Sequence, residues 1–317
     1  MNPHPRRKSS ATARRHRGTA LVAVLWLIAI LAMAAMATLR VISFDMELAT
    51  QKIHGSRASH IAEAGIAIGS NPAVERGDPI LSFFNPETNE GFDVELISEG
   101  SRFNINAILQ REDTVLLRSL FISWGIELDD AQALVDALAD WVDADDEVRL
   151  NGAEREWYEA QGRMNQPFNR PFYDLSEMRL VRGMDVVEAF RPDWREWFSI
   201  WSGGLLDINE ARAELIAVAA EVSVEQAQAI PDIVTGPDRI LGTDDDAPFQ
   251  EIASALAIIG VNAEARPDIA ARFTVGDTTT RVVSTGYASG AKRRITAILR
   301  NRTGQPALLE RTEEIIP

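Results

Sequence analysis

Between Thr19 and Leu39 the chain carries no charged residue, and at roughly 1.5 Å per residue a helix of that length crosses about 30 Å of hydrocarbon. From Arg40 to about Gly69 the apolar residues Phe44, Leu48, Ile61, Ala64 and Ile68 recur at helical spacing among polar ones, so the apolar helix is expected to continue as an amphipathic stem. Asn71-Pro72 ends it, and Pro72, Gly77, Pro79 and Pro86 mark a loop. Gly91-Phe92-Asp93-Val94-Glu95-Leu96-Ile97 alternates apolar and acidic residues as a half-buried strand does. Far downstream, 281–287 and 294–300 read as two more strands around a turn at Ser289-Gly290. Between the early and late strands lies a long, mainly helical block, and after Arg302 the pattern predicts a flexible tail.

Charge orients the apolar helix. Arg6, Arg7, Lys8, Arg14, Arg15 and Arg17 precede it, and the positive-inside bias holds such a cluster in the cytoplasm and sends everything after Arg40 outside. A secretory signal would place a shorter apolar run before its cleavage site. Here the small-residue junction Gly18-Thr19 stands on the basic side of the run, so cleavage there leaves the helix as the mature N-terminus. That order resembles a type IV prepilin; the alternative is an uncleaved anchor on an ordinary periplasmic protein.

Composition narrows the chemistry of the exported body. The 317 residues carry a formal charge of -15, and loss of the six leader cations makes the mature chain more acidic still. Such a surface repels nucleic acid and suits cations and basic partners. Cysteine is absent, and His4, His16, His54 and His60 all precede the body. Nucleophilic sites built on histidine, and zinc held by His or Cys, are thereby excluded from it. Carboxylate chemistry and a hard, oxygen-ligated metal remain possible.

The helical block contains an internal echo. Phe103-Asn104-Ile105-Asn106-Ala107, then a helical run and Glu127-Leu128-Asp129-Asp130-Ala131, is answered by Leu206-Asp207-Ile208-Asn209-Glu210-Ala211, a helical run and Val222-Ser223-Val224-Glu225-Gln226-Ala227. In each copy the Asn can cap a helix start, followed by a second helix with an acidic cap. The pair reads as two helical-hairpin units of the SAM-like or helix-hairpin-helix kind, and the acidic surroundings favour a structural role over a nucleic-acid one.

Several segments together resemble the protein K family of type II secretion systems, minor pseudopilins, from Arg14 to about Arg302. They are Arg17-Gly18-Thr19 with the apolar run, Ala62-Glu63-Ala64-Gly65, the Ile105-Asn106 junction, Trp141-Val142-Asp143-Ala144-Asp145-Asp146-Glu147 followed by Gly152-Ala153-Glu154, and Leu175-Ser176-Glu177-Met178-Arg179-Leu180-Val181-Arg182-Gly183. The resemblance implies an α+β class and a pilin-like fold, a long N-terminal transmembrane helix on a small antiparallel sheet, with a large helical SAM-like insert. The expected organisation is a prepilin leader over 1–18, helix and stem over 19–70, a β core over 71–103 and 268–303, a first helical insert over 104–203, a second hairpin unit over 204–267, and the tail over 304–317. It further implies a single-pass inner-membrane protein with a periplasmic body, processed by prepilin peptidase. Such a protein caps the pseudopilus with minor pseudopilins I and J, contacts the major pseudopilin, can meet secreted cargo, and needs no catalysis. The stem near Ile61, Gly65 and Ile68 is the expected helical contact.

Counting from Thr19, the fifth residue is Ala23, where pilins of the ordinary kind have Glu. A carboxylate in lipid is costly without a partner, and a topmost subunit has none above it. The same departure is typical of the resembled family. Aromatic residues Trp124, Trp141, Trp157, Tyr158, Trp194, Trp197 and Trp201 populate the insert; they read first as core, with Trp194, Trp197 and Trp201 as the alternative docking stripe. Other functional classes remain open here: a minor pilin or adhesin of a type IV pilus, a membrane-anchored periplasmic carboxylate hydrolase using Asp143 or Glu154, and a phosphate-binding helix-hairpin-helix protein.

Asp143, Asp145, Glu147, Asn151 and Glu154 stand at positions one, three, five, nine and twelve of a loop, the spacing of EF-hand oxygen ligands. Position six is Val148 where that motif has Gly, so the backbone path must differ. The resemblance implies calcium in this helical domain, and calcium is the expected cofactor; the competing account is a solvated acidic turn.

Overall fold

The computed structural model describes residues 16–316, with side chains from Ala20 onward. The leader through residue 15, Pro317, and the side chains of the Gly18-Thr19 junction lie outside the described residues.

Helix α1 (His16–Gly69) is unbroken over 54 residues. Its portion from Ala20 is long and apolar enough to cross a membrane. Within the apolar stretch the hydroxyl of Thr38 donates to the Ala34 carbonyl, so this polar side chain needs no water. The chain divides into two compact units, one ending at Ser56 and one beginning at Arg57.

The second unit begins with the last turns of α1. A five-stranded antiparallel sheet follows from β1 (Ser82–Asn85), β2 (Glu90–Ser98), β7 (Thr279–Ala288), β8 (Ala291–Arg300) and β9 (Ala307–Ile316), in the order β1-β2-β7-β8-β9. The three strands expected from alternation are present as β2, β7 and β8. Their turn is as expected too: Ser289 and Gly290 both take positive φ, and Ala288 pairs with Ala291.

Small residues let the stem lie close on this sheet. Ala58 and Ala62 are fully buried, and a Cβ on Gly286 would stand 2.2 Å from the Ala58 carbonyl oxygen. A Cβ on Gly65 would likewise stand 2.2 Å from Ser284 Oγ. Ile61, Ile66 and Ile68 pack against the sheet core of Phe92, Val94, Leu96, Val282 and Leu299. This corrects the expectation that Ile61, Gly65 and Ile68 face a partner helix: the protein's own sheet takes them. Arg302 closes the end of α1, donating from Nη1 to the carbonyls of Gly69, Asn71 and Val74.

The expected flexible tail over 304–317 is instead the edge strand β9. Polar side chains fasten it: Ser59 Oγ donates to Glu313 Oε1 at 2.7 Å, Arg311 pairs with Glu63, and Trp201 Nε1 donates to Glu310. Alternation is weak in this strand because its neighbours are charged side chains rather than a core.

The helical body is inserted between β2 and β7, which pair from Glu90 with Ala288 to Ser98 with Thr280. It runs β3 (Phe103–Asn104), α2 (Ile105–Gln110), α3 (Thr114–Ser123), α4 (Leu128–Val142), α5 (Arg155–Ala160), α6 (Met184–Phe190) and β4 (Phe198–Ser199). A second round follows as β5 (Leu206–Asp207), α7 (Ala213–Ala220), α8 (Val224–Ala227), α9 (Ala229–Val234), α10 (Ile252–Ile258), α11 (Pro267–Ala270) and β6 (Phe273–Thr274). Each round closes by a short parallel pairing, Phe103 with Phe198 and Leu206 with Phe273. The echo in sequence is therefore an echo in structure.

The expected Asn cap is present in the first round and absent from the second, where Arg212 stands at the N-cap of α7. Asn104 is the residue that caps α2, while Asn106 reaches across and holds the backbone of Phe172 in both directions, at 2.9 and 2.8 Å. Asn209 does the same to Phe249 at the same two distances. One core runs through both rounds, from Leu117, Leu120 and Leu138 to Leu215, Ile216 and Leu256. Arg272 ties them further by pairing with Asp113 and Glu221.

Candidate functional site

The acidic segment lies between two helices. Asp143 is the C-cap of α4 and Glu154 the N-cap of α5, so the twelve positions 143–154 form a helix–loop–helix connection. The loop's position is set by packing beneath it. Trp141, in the last turn of α4, is fully buried against Tyr158 of α5, with ring centroids 5.3 Å apart, and against Phe168 and Phe172.

Charges in the loop are unevenly satisfied. The Arg149 guanidinium donates from Nη1 to Asp140 Oδ1 at 2.7 Å and to Asp143 Oδ2, and its backbone N–H donates to Asp140 Oδ2. Asp140, within α4, has no exposed side-chain surface. Arg155 pairs with exposed Asp146, whose Oδ1 also receives the Asn169 amide. Asp145 is exposed, and its Oδ1 accepts from the Glu147 backbone in a local turn. Glu147 is exposed as well. Asn151 turns to Asp136, with backbone and amide both donating to Oδ2.

Several buried oxygens have no hydrogen-bond partner: Asp143 Oδ1, both carboxylate oxygens of Glu154, Gln166 Oε1 and Asn169 Oδ1. Glu154 is only 6% exposed. Its burial, with Asp140, Asp143 and Asp146 close by, pushes its carboxyl up to about 7. Burial also raises Asp143, against the lowering effect of Arg149. Of the five positions read from spacing, the structure thus brings Asp143 and Glu154 to one acidic cluster with Asp140 and Asp146, leaves Asp145 and Glu147 exposed, and turns Asn151 to Asp136. Asp140 and Arg149 escaped a reading based on loop spacing, because one sits inside the helix and the other is cationic. Among the described residues no three His, Asp or Glu side chains are arranged as a ready ligand set.

The other singled-out positions are simpler. Ala23 is exposed on the apolar part of α1. Trp194 and Trp197 are 1% and 2% exposed, Trp197 in edge contact with Trp124, so they form core and not a docking stripe. Trp201 is half-buried on β9.

Comparison with known proteins gives a resemblance to one family. Residues 101–192 match the family model described as Type II secretion system (T2SS), protein K. Type II secretion system protein K of Klebsiella pneumoniae is 42% identical over 94 residues, covering 27% of this chain and 29% of that protein's length. The Pseudomonas aeruginosa protein of the same name is 26% identical over 248 residues, covering 69% of this chain and 72% of that one. Among solved structures, a chain of the GspK-GspI-GspJ complex from enterotoxigenic Escherichia coli superposes with a TM-score of 0.61 at 15% identity, over 86% of this chain and 98% of that one. The expected resemblance to type II secretion system protein K is therefore present, and the pilin-like fold with it.

Proposed function

We propose, from a chain that carries the protein K domain of the type II secretion system, that this protein is the minor pseudopilin at the tip of the periplasmic pseudopilus, assembled with minor pseudopilins I and J. The observation that carries the reading is the body inserted between β2 and β7, far bulkier than the sheet it interrupts. Repeated in every subunit of a thin fibre, such a body would crowd its neighbours, whereas one copy fits at an end. Ala23 supports the same placement, since a terminal subunit has no ammonium above it to pair with a carboxylate in lipid. No catalytic step is assigned to the chain. The full-length protein, co-expressed with the I and J pseudopilins of its own secretion system and extracted in detergent, should elute as a complex with one copy of each. Its N-terminus should read from Thr19. Elution of this chain alone beside an I–J pair would count against the tip assignment.

The same reading includes a calcium ion in the acidic loop. Unpartnered, buried Glu154 and the free oxygen of Asp143 are acceptors without donors, which is the condition an oxygen-seeking cation relieves. Asp143 and Glu154 would hold it, with the oxygen of Asn169, whose amide is bonded to this loop, at hand, and it would neutralise carboxylates that otherwise repel. Calcium at about a hundredfold over its dissociation constant should stabilise the fold by roughly 2.7 kcal/mol. Thermal unfolding should shift upward between chelator and millimolar calcium, and the shift should vanish in Glu154→Ala; identical melting curves for the wild type would remove the ion from this picture.

A further inference from the structure

We propose that Arg149 is a tethered counter-cation that holds the acidic loop together when no metal is bound and must release Asp143 for a divalent cation to enter, so that it sets the affinity of the site. This rests on the calcium reading above.

Arg149 lies at the middle of the 143–154 loop, and one nitrogen, Nη1, serves both Asp140 and Asp143. A carboxylate as buried as Asp140 requires a counter-charge, and Arg149 is the cation that meets it. One guanidinium is nevertheless too little for the cluster. It leaves Asp143 Oδ1 and both oxygens of Glu154 uncovered, and Glu154 is itself more than nine-tenths buried. Of the other cations bonded to this loop, Arg155 is spent on Asp146 at the surface and Arg182 on the Gly152 carbonyl. A guanidinium is planar, carries a single charge and only donates. A divalent cation gathers oxygens from several directions and carries twice the charge.

Both cannot use Asp143 at once, because the two positive charges would stand within a few ångströms in a partly desolvated loop. The arrangement of carboxylates around a guanidinium instead of around one empty point explains why no three converge as ligands. Arg149 also has somewhere to go. Its side chain is 37% exposed and borders a groove of about 530 Å³, lined in addition by Asn106, Gln110, Glu112 and Asp143. There the guanidinium can exchange Asp143 for Glu112 or solvent while the cation takes over the loop.

The test uses the full-length protein in detergent, with calcium titrated calorimetrically and thermal unfolding followed in chelator and in calcium. Arg149→Gln should bind calcium about tenfold tighter than the wild type, since a competitor has been removed. It should also unfold at a lower temperature than the wild type in chelator, with calcium closing most of that gap. A merely structural arginine would predict an equal loss in both conditions and an unchanged or weaker affinity, and either result overturns the proposal. Arg155→Gln removes the same charge from the same loop and should change affinity no more than about threefold; a tightening equal to that of Arg149→Gln would mean a general field effect and would also overturn it. If Arg149→Gln folds in neither condition, Arg149→Lys decides: the ammonium grips the two carboxylates less well, so calcium should bind tighter than in the wild type, and equal affinity sinks the idea. Absence of calcium binding in the wild type and in every variant would instead refute the calcium reading itself.

Discussion

Replacing Trp141 by alanine is expected to remove about 3–5 kcal/mol of folding free energy, a large share of what a domain has to lose. The indole is fully buried at the end of α4. It meets Tyr158 and Phe168 edge-on, with centroids 5.3 and 5.1 Å away, and stacks on Phe172 at an interplanar angle of 11°. These partners come from α5 and from the segment that Asn106 clamps, so the ring joins three stretches of chain that share little else. Truncation would leave a cavity that the clamped Phe172 backbone cannot collapse into. The indole N–H has no partner, so Trp141→Phe should cost much less, the lost atoms being apolar surface and not a hydrogen bond. Urea unfolding monitored by circular dichroism measures both variants; a loss under about 1 kcal/mol for Trp141→Ala would contradict this packing. Because Asp143 follows two residues later, the alanine variant should also blunt the calcium-dependent stabilisation.

Glu99→Ala is expected to be as costly, about 3–5 kcal/mol, for an electrostatic reason. Glu99 is 1% exposed and lies directly after β2, where the chain leaves the sheet for the helical body. Its carboxylate pairs with Arg281 of β7, the strand on which the chain returns, and stands 3.7 Å from Arg102. The Ser199 hydroxyl donates to it from β4. Burial, and then Arg281, push the Arg102 guanidinium down to about 10, with Glu99 acting in the opposite direction. Without Glu99, two desolvated guanidinium groups face each other. The loss should be partly recovered in the Glu99→Ala/Arg281→Ala double variant, because one of the stranded charges has gone. Thermal unfolding of the two single variants and the double decides this; strictly additive losses would mean that Glu99 and Arg281 do not act as a pair.

Periodicity along the chain was enough for the elements whose neighbours are uniform. A membrane-length apolar run can satisfy its backbone only as a helix, so α1 follows from composition alone. Alternation specified β2, β7 and β8 because each has one face on α1 or the core and one outside. The repeated Asn-Ile-Asn and Asp-Ile-Asn segments also revealed two rounds of helical structure. The Pro171-Phe172 and Pro248-Phe249 dipeptides that answer them, 66 and 40 residues after their asparagines, carry no meaning until the fold brings each Phe backbone onto its Asn. Edge strand β9 was illegible for a related cause, since its hold on the protein consists of Glu313, Arg311 and Glu310 finding Ser59, Glu63 and Trp201 from distant parts of the chain.

At the acidic loop, spacing alone singled out Asp143 and Glu154 among five positions. Tertiary structure decided the rest. Side chains one or two residues apart point in different directions, so Glu147 stays in solvent and Asn151 turns to Asp136, while Asp140 enters the cluster from inside α4 and Arg149 enters as its counter-charge. A linear spacing counts residues along the backbone, whereas a charge is stabilised by whatever lies within a few ångströms of it, and only the folded chain determines that.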